Sequence, residues 1–341
     1  MTFKKTFGAL LFGLLAPTLA ATGCGGDDAT ATDSTAGQPV AAPTGAAAAS
    51  KGTRRTFAIN NLNLGVGDGW KTLGYNLDGK VTKPKATDVC KPKGVAEPIA
   101  DGSNGIDNAF GAKILAQLAN LKINVDGVNT NLTDGNFSVL LDVDGLTDAA
   151  DQTNTALTAQ IFPAAAFDVP GGKKPAFDKT DSWPVYDNVI VNGDVTKSKI
   201  VLDGAYINKG QFVGRTQTLT LSLTIAGAAI ALDIESPIIT FTHSGSDLKT
   251  GVIAGVLNTQ KLIETLKAVG PSISADLCKD PSQIDNVVAP LAERSSDSMV
   301  SGANNGGTCD GISIGIGFTA KEVAVPTKIA KASTAPTTCA P

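Results

Sequence analysis

Histidine is almost missing from this chain: His243 is the single one in 341 residues. One histidine cannot supply a multi-histidine zinc site, and it leaves one imidazole for proton transfer. Aromatic residues are also scarce, at 5%, with Trp70 and Trp183 the two tryptophans. That argues against a sugar-binding face built on stacked rings. Basic residues form no stripe. The 28 lysines and arginines are mixed among 32 acidic residues, for a formal net charge of −4, so the electrostatic footprint of a nucleic-acid binder is absent. No apolar run reaches the ~20 residues that a membrane-spanning helix requires. The glycine-rich run Gly311 to Gly317 is not followed by Lys-Ser or Lys-Thr, so it is no phosphate loop.

What the chain does have begins at its first residues. Lys4 and Lys5 precede an apolar run from Phe7 to Leu19, and Ala21-Thr22-Gly23-Cys24 follows. A basic head, a short apolar core and small residues before a cysteine read as a bacterial export signal. Residues 21–24 resemble a lipobox, the site at which lipoprotein precursors are diacylated on cysteine and cut before it. Ala21 departs from the usual leucine; Gly23 and Cys24 fit. The rival is an ordinary secretory signal cut near Ala20 or Ala21. The resemblance implies lipidation of Cys24 and a membrane partner through that anchor. Gly25 rather than aspartate after Cys24 implies, in a two-membrane cell, the outer membrane. Gly105 to Gly111 and Cys309 to Phe318 resemble segments of uncharacterised exported bacterial lipoproteins, a likeness that implies no activity.

Residues 24–54 are mostly Gly, Ala, Thr, Asp, Ser and Pro. Such a stretch buries too little surface to offset its ordering entropy, and reads as a flexible tether spanning roughly 30 Å. The division expected is therefore 1–23 signal peptide, 24–54 lipidated cysteine and tether, and 55–341 folded domain.

That domain reads as mainly β: an antiparallel sandwich or barrel-like pair of sheets, with about three α-helices and a helical insert near 252–300. Leu219, Leu221, Leu223 and Ile225 alternate with polar residues, and Ile230 to Ile234 returns after a turn at residues 226–228, which predicts a hairpin. Phe137 to Val143, Leu157 to Ile161, Val189 to Val191, Ile200 to Tyr206, Ile238 to Phe241 and Ile312 to Phe318 follow the same period. Eight Asp-Gly pairs, among them Asp144-Gly145 and Asp203-Gly204, are read as tight turns. Helical spacing covers Ile106 to Leu121 and Thr259 to Val269, the latter stopped by Gly270 and Pro271. A third helix opens at Asp280-Pro281 and is expected to bury Ile284, Val287, Val288 and Leu291, with Pro290 kinking or ending it.

Five cysteines make an odd count for an oxidising compartment. With Cys24 lipidated, Cys90, Cys278, Cys309 and Cys339 remain for two disulfides. Of the three pairings, chain position favours Cys278–Cys309 with Cys90–Cys339. Two constellations bear on chemistry. Gly311-Ile312-Ser313-Ile314-Gly315 matches the nucleophile pattern G-x-S-x-G, but alternation runs through it where an elbow needs a turn and a helix; a hydrolase on Ser313 and His243 is the alternative reading. Asp142, Asp144, Asp148 and Asp151 cluster in a predicted loop and suit calcium, the one cofactor considered. Asp101, Ser103, Asn104, Asp107 and Asn108 form a second oxygen-rich stretch, in which Ser103, Asn104 or Asp107 can equally cap the following helix. The reading is a lipid-anchored envelope domain with a binding or structural role and an unidentified protein or small-molecule partner.

Overall fold

The computed structural model describes residues 31–33, 36–45, 52–120, 127–155, 157–167, 172–225, 228–273, 282–302 and 304–332. It is mainly β and antiparallel. Strands β1 (Thr32–Asp33), β2 (Thr53–Asn63) and β3 (Lys80–Val81) come first, then β4 (Ser138–Leu146), β5 (Thr158–Ala164) and β6 (Val185–Tyr186). Next are β7 (Ile190–Val191), β8 (Asp194–Ser198), β9 (Ile200–Asn208), β10 (Gln211–Arg215) and β11 (Thr218–Ile225). The series ends with β12 (Ala228–Ser244), β13 (Asp247–Asn258), β14 (Gly311–Val323) and β15 (Ile329–Ala330).

Eight strands close a ring in the order β5-β4-β2-β14-β13-β12-β10-β9, and three residue pairs between β9 and β5 complete it. Closure removes sheet edges that would otherwise recruit other chains. Register puts Phe57, Leu141, Ile161, Ile207, Phe212, Ile239, Phe241, Ile253, Ile314, Ile316 and Phe318 on the inner face. All are buried in one cluster, and Phe212 stacks on Phe241 with ring centroids 4.4 Å apart. The barrel interior is thus a packed core. A smaller cluster lies outside it, where Trp183 packs between Phe167 and Phe177 beside Leu140 and Phe162.

The curvature comes from bulges. Asp144-Gly145 and Asp203-Gly204, read above as turns, lie inside β4 and β9, where the register shifts by one residue. Gly145 and Gly204 adopt φ of 98° and 57°, which glycine permits without a Cβ clash, and the extra residue bends the strand. Asp134-Gly135 does form a turn, with Gly135 at φ 78°, but two of the hairpins use other residues: Lys209-Gly210 links β9 to β10, and Asn192-Gly193 links β7 to β8, all four with positive φ.

Helices gather at one end of the barrel. Phe110–Leu115 is a π-helical turn continued by α1 (Ala116–Asn120), and α2 (Gly127–Thr133) follows. Helices α3 (Thr259–Ile273) and α4 (Ser282–Arg294) sit between β13 and β14. The insert therefore spans 259–294, because residues 252–258 belong to β13. Helix α3 continues through Gly270 and Pro271, and α4 through Pro290. Leu262 and Ile263 are buried as expected, but Val287 faces solvent, since α4 packs through Ala292 and, in part, Leu291. Leu121, Asp280, Pro281, the side chain of Ile284 and the turn at 226–227 lie outside the described residues.

Two expectations are corrected. Cys90 bonds to Cys309, so neither Cys278–Cys309 nor Cys90–Cys339 forms; Cys278 and Cys339 lie outside the described residues. And the tether is not featureless over 31–45. Strand β1 pairs with β3, Asn76 N donates to Gly37 O (3.0 Å), and Tyr206 Oη donates to Val40 O (2.6 Å). Asn208 Nδ2 donates to Ala41 O at 2.8 Å. These polar contacts hold a segment that has little apolar surface of its own to bury.

Candidate functional site

The nucleophile reading places Ser313 and His243 together; the fold separates them. Ser313 lies opposite Val256 and His243 opposite Leu248, eight residues along β13, or about 26 Å. They also face opposite sides of the barrel wall. Ser313 is fully buried outside the ring. Its Oγ donates to the Asp297 carboxylate and accepts from Ala109 N at 2.8 Å, and its own N–H donates to Asp297 Oδ1 at 2.8 Å. This hydroxyl is a structural linker between β14 and the covering loops. The histidine of the expected pair is too distant to activate it.

His243 lies inside the barrel at the end away from the helices, 2% exposed, and neither ring nitrogen has a hydrogen-bond partner among the described residues. Burial, reinforced by the Arg55 charge, pulls its imidazole below the usual value of 6.5. Arg55 closes the same mouth. It donates to Glu322 Oε2 (2.5 Å) and Gly245 O (2.6 Å), approaches Asp148 at 3.4 Å, and sits 5.2 Å over the Phe57 ring. Burial alone would raise the Glu322 carboxyl, but hydrogen bonds from Arg55 and Lys179 outweigh it and hold Glu322 below its ordinary range.

The expected calcium loop is half strand and half loop. Asp142 and Asp144 belong to β4, on its outer face, while Asp148 is drawn toward Arg55 and Asp151 is exposed. Asp142 is 2% exposed and already accepts from Arg54 Nε (2.8 Å), Thr56 Oγ1 (2.7 Å) and Gln160 Nε2 (3.2 Å). The four carboxylates do not converge, and among the described residues no group of three or more His, Cys, Asp or Glu is placed to hold a metal ion.

The second oxygen-rich stretch builds something the sequence hid. Asp101 and Asp107 hydrogen-bond to one another and couple electrostatically to Asp78 and Asp297. Asp101 Oδ2 accepts from Thr82 N (2.5 Å), and Asp107 Oδ2 from Leu77 N (2.6 Å). Burial first, then the neighbouring carboxylates, pushes Asp101 up to about 7 and Asp107 well above the carboxylate range; burial is also the main cause that lifts Asp297 to about 6. Such a cluster must hold protons near neutrality. The helix cap is made by Asn108, whose Oδ1 accepts from Gly111 N at 3.0 Å while Nδ2 donates to Leu73 O at 2.8 Å and Gly315 O at 3.1 Å. Neither Ser103, Asn104 nor Asp107 takes that role.

One concave feature with mixed charge is a groove of about 250 Å³ on the outer wall, lined by Arg54, Asp142, Asp144, Gln160, Thr196 and Lys197. Arg54 is partly exposed and fixed from both sides, by Asp142 and by Thr196 O (2.8 Å). Asp144 and Lys197 are exposed at the rim. The arrangement offers a preset guanidinium flanked by a carboxylate and an ammonium, which suits a small polar ligand bearing both charges. No protein-family model, curated protein or solved structure matches the chain.

Proposed function

We propose that this protein is a lipid-anchored domain of the cell envelope, held at the membrane by a diacylglyceryl group on Cys24, with a binding role carried by the outer wall of its barrel. The observation that carries the exported reading is the Cys90–Cys309 bridge between residues 219 positions apart, a bond that persists in oxidising compartments. With that pair assigned, Cys278 and Cys339 leave an even remainder only when Cys24 carries lipid. Gly25 after the anchor favours the outer membrane of a two-membrane cell. Among the described residues no helix is long and apolar enough to cross a membrane.

Among the described residues the ring interior is packed with apolar side chains, and the binding role is assigned to the Arg54 groove on the outer wall. Membrane fractionation tests the anchor: the native chain sediments with the outer membrane, and Cys24→Ala does not. Equal sedimentation of both would contradict lipidation. For the groove, soaking with free amino acids as zwitterionic probes should shift the backbone NMR signals of Thr196 and Gln160. Shifts retained in Arg54→Ala would contradict the assignment.

A further inference from the structure

Residues 80–97 hold five lysines, Lys80, Lys83, Lys85, Lys91 and Lys93, against Asp88 and Glu97, in a chain of formal net charge −4. This loop belongs to the helical end of the barrel. Cys90 is bonded to Cys309, Lys91 bridges to Thr308, and Lys93 Nζ lies 2.7 Å from Glu293 of α4. The half-buried Asp88 lies 3.4 Å from Lys80 and accepts from the backbone N–H of Ala31 at 2.7 Å. Lys83, Lys85, Lys93 and Val95 are exposed.

The contact with Ala31 makes the loop the docking point of the segment that follows Cys24. Seven residue steps separate Cys24 from Ala31, a reach of about 25 Å even when fully extended. A tether read as thirty free residues is thus cut to a short leash that ends beside the lysines. From there the segment runs along the outer wall to Asn208 and Gln211, at the opposite end. That end lies about 26 Å further away, the length of the eight-residue stretch of β13 between the two levels.

We infer that the loop 80–97 is the membrane-facing surface of this domain, and that its partner is the anionic headgroup layer of the bilayer in which the Cys24 lipid sits. The anchor confines Ala31 near the bilayer, and the lysines select, among the orientations that the leash allows, the one that sets the helical end on anionic lipid. The turns at Lys209 and near Lys249 then point away. This rests on the lipid-anchor reading.

The chain's own lysines test it. The lipidated protein, extracted from membranes, is reconstituted into vesicles of phosphatidylcholine alone or with phosphatidylglycerol, and amine acetylation is followed by peptide mass spectrometry. In the anionic vesicles, labelling of Lys83, Lys85 and Lys93 is expected to slow about fivefold relative to phosphatidylcholine, the effect of attraction to anionic lipid on each lysine, while Lys209 and Lys249 label equally in both. Unchanged rates at all five lysines, or slowing at Lys209 and Lys249, would overturn the orientation. The intact mass of the same sample reads the anchor separately: an unmodified Cys24 would overturn the anchor and this inference with it.

Discussion

Arg55 and Glu322 are each less than a tenth exposed, and each is the other's main charged partner inside the barrel mouth. Removing one partner of such a pair strands a buried charge. Arg55→Met should therefore cost about 3 kcal/mol in urea unfolding, toward the low end for broken buried pairs because Lys179 still reaches Glu322. The double change Arg55→Met with Glu322→Met should recover most of that loss; a double variant as unstable as the single would show the pair is not what matters. Ser313 offers a second residue-scale check. Ser313→Ala takes the hydroxyl away from Asp297 Oδ2 and from the Ala109 N–H, and about 1–3 kcal/mol of stability should go, measured by thermal unfolding.

The carboxylate cluster gives stability a pH slope. Asp101 and Asp297 have folded values of about 7 and about 6 against 3.8 for the free side chain. The native state therefore binds protons that the unfolded chain has released, so the stability this cluster contributes is fullest below about pH 4 and is lost as pH rises toward 7. His243 acts oppositely. Its lowered value means that the unfolded chain takes up a proton first, and stability drops as pH falls below 6.5. Denaturation midpoints across this range should rise on acidification in His243→Gln more steeply than in the native chain, and flatten in Asp101→Asn. A midpoint independent of pH in all three would contradict the cluster. Histidine scarcity makes this measurement clean, since no other imidazole titrates.

Among elements, legibility followed the alternation of residue types. β4, β11 and β14 were readable because large apolar residues alternate with polar or small ones along them. β2 and β13 were not, for apolar residues fall on both faces there, as Phe57, Ala58 and Ile59 in β2 and Val252, Ile253 and Ala254 in β13, and the period of two disappears. The Asp-Gly pairs were visible but ambiguous, since the same φ > 0 serves a turn and a bulge. Gly315 shows the other limit. A Cβ there would overlap Leu73 O, a constraint set by a loop that only the fold brings close. Gly315→Ala should cost about 1–3 kcal/mol in denaturant unfolding, with no loss expected from an equivalent change at the open Gly193 beyond its own positive-φ strain. The Cys90–Cys309 bridge joins residues 219 positions apart, and Cys309→Ser should lower stability by about 3–5 kcal/mol. Its pairing could not be read, because four cysteines carry no spatial information in sequence. The aspartate cluster was half visible, as Asp101 and Asp107; Asp78 and Asp297 join it only through the packing of β14 against the loops.

For the whole molecule, a closed barrel with a packed core carries a groove on its outer wall and the segment 36–45 docked along its outside; the proposed anchor would hold that body close to a surface. The docked segment was illegible because amide and backbone hydrogen bonds fix it, and those leave no hydrophobic period. The central claim is the anchor at Cys24, from which location and orientation both follow. Intact mass spectrometry of the membrane-extracted protein tests it most directly. A chain beginning at Cys24 with the added mass of a diacylglyceryl group is the predicted result. An unmodified chain beginning near Ala21 or Thr22 would contradict it.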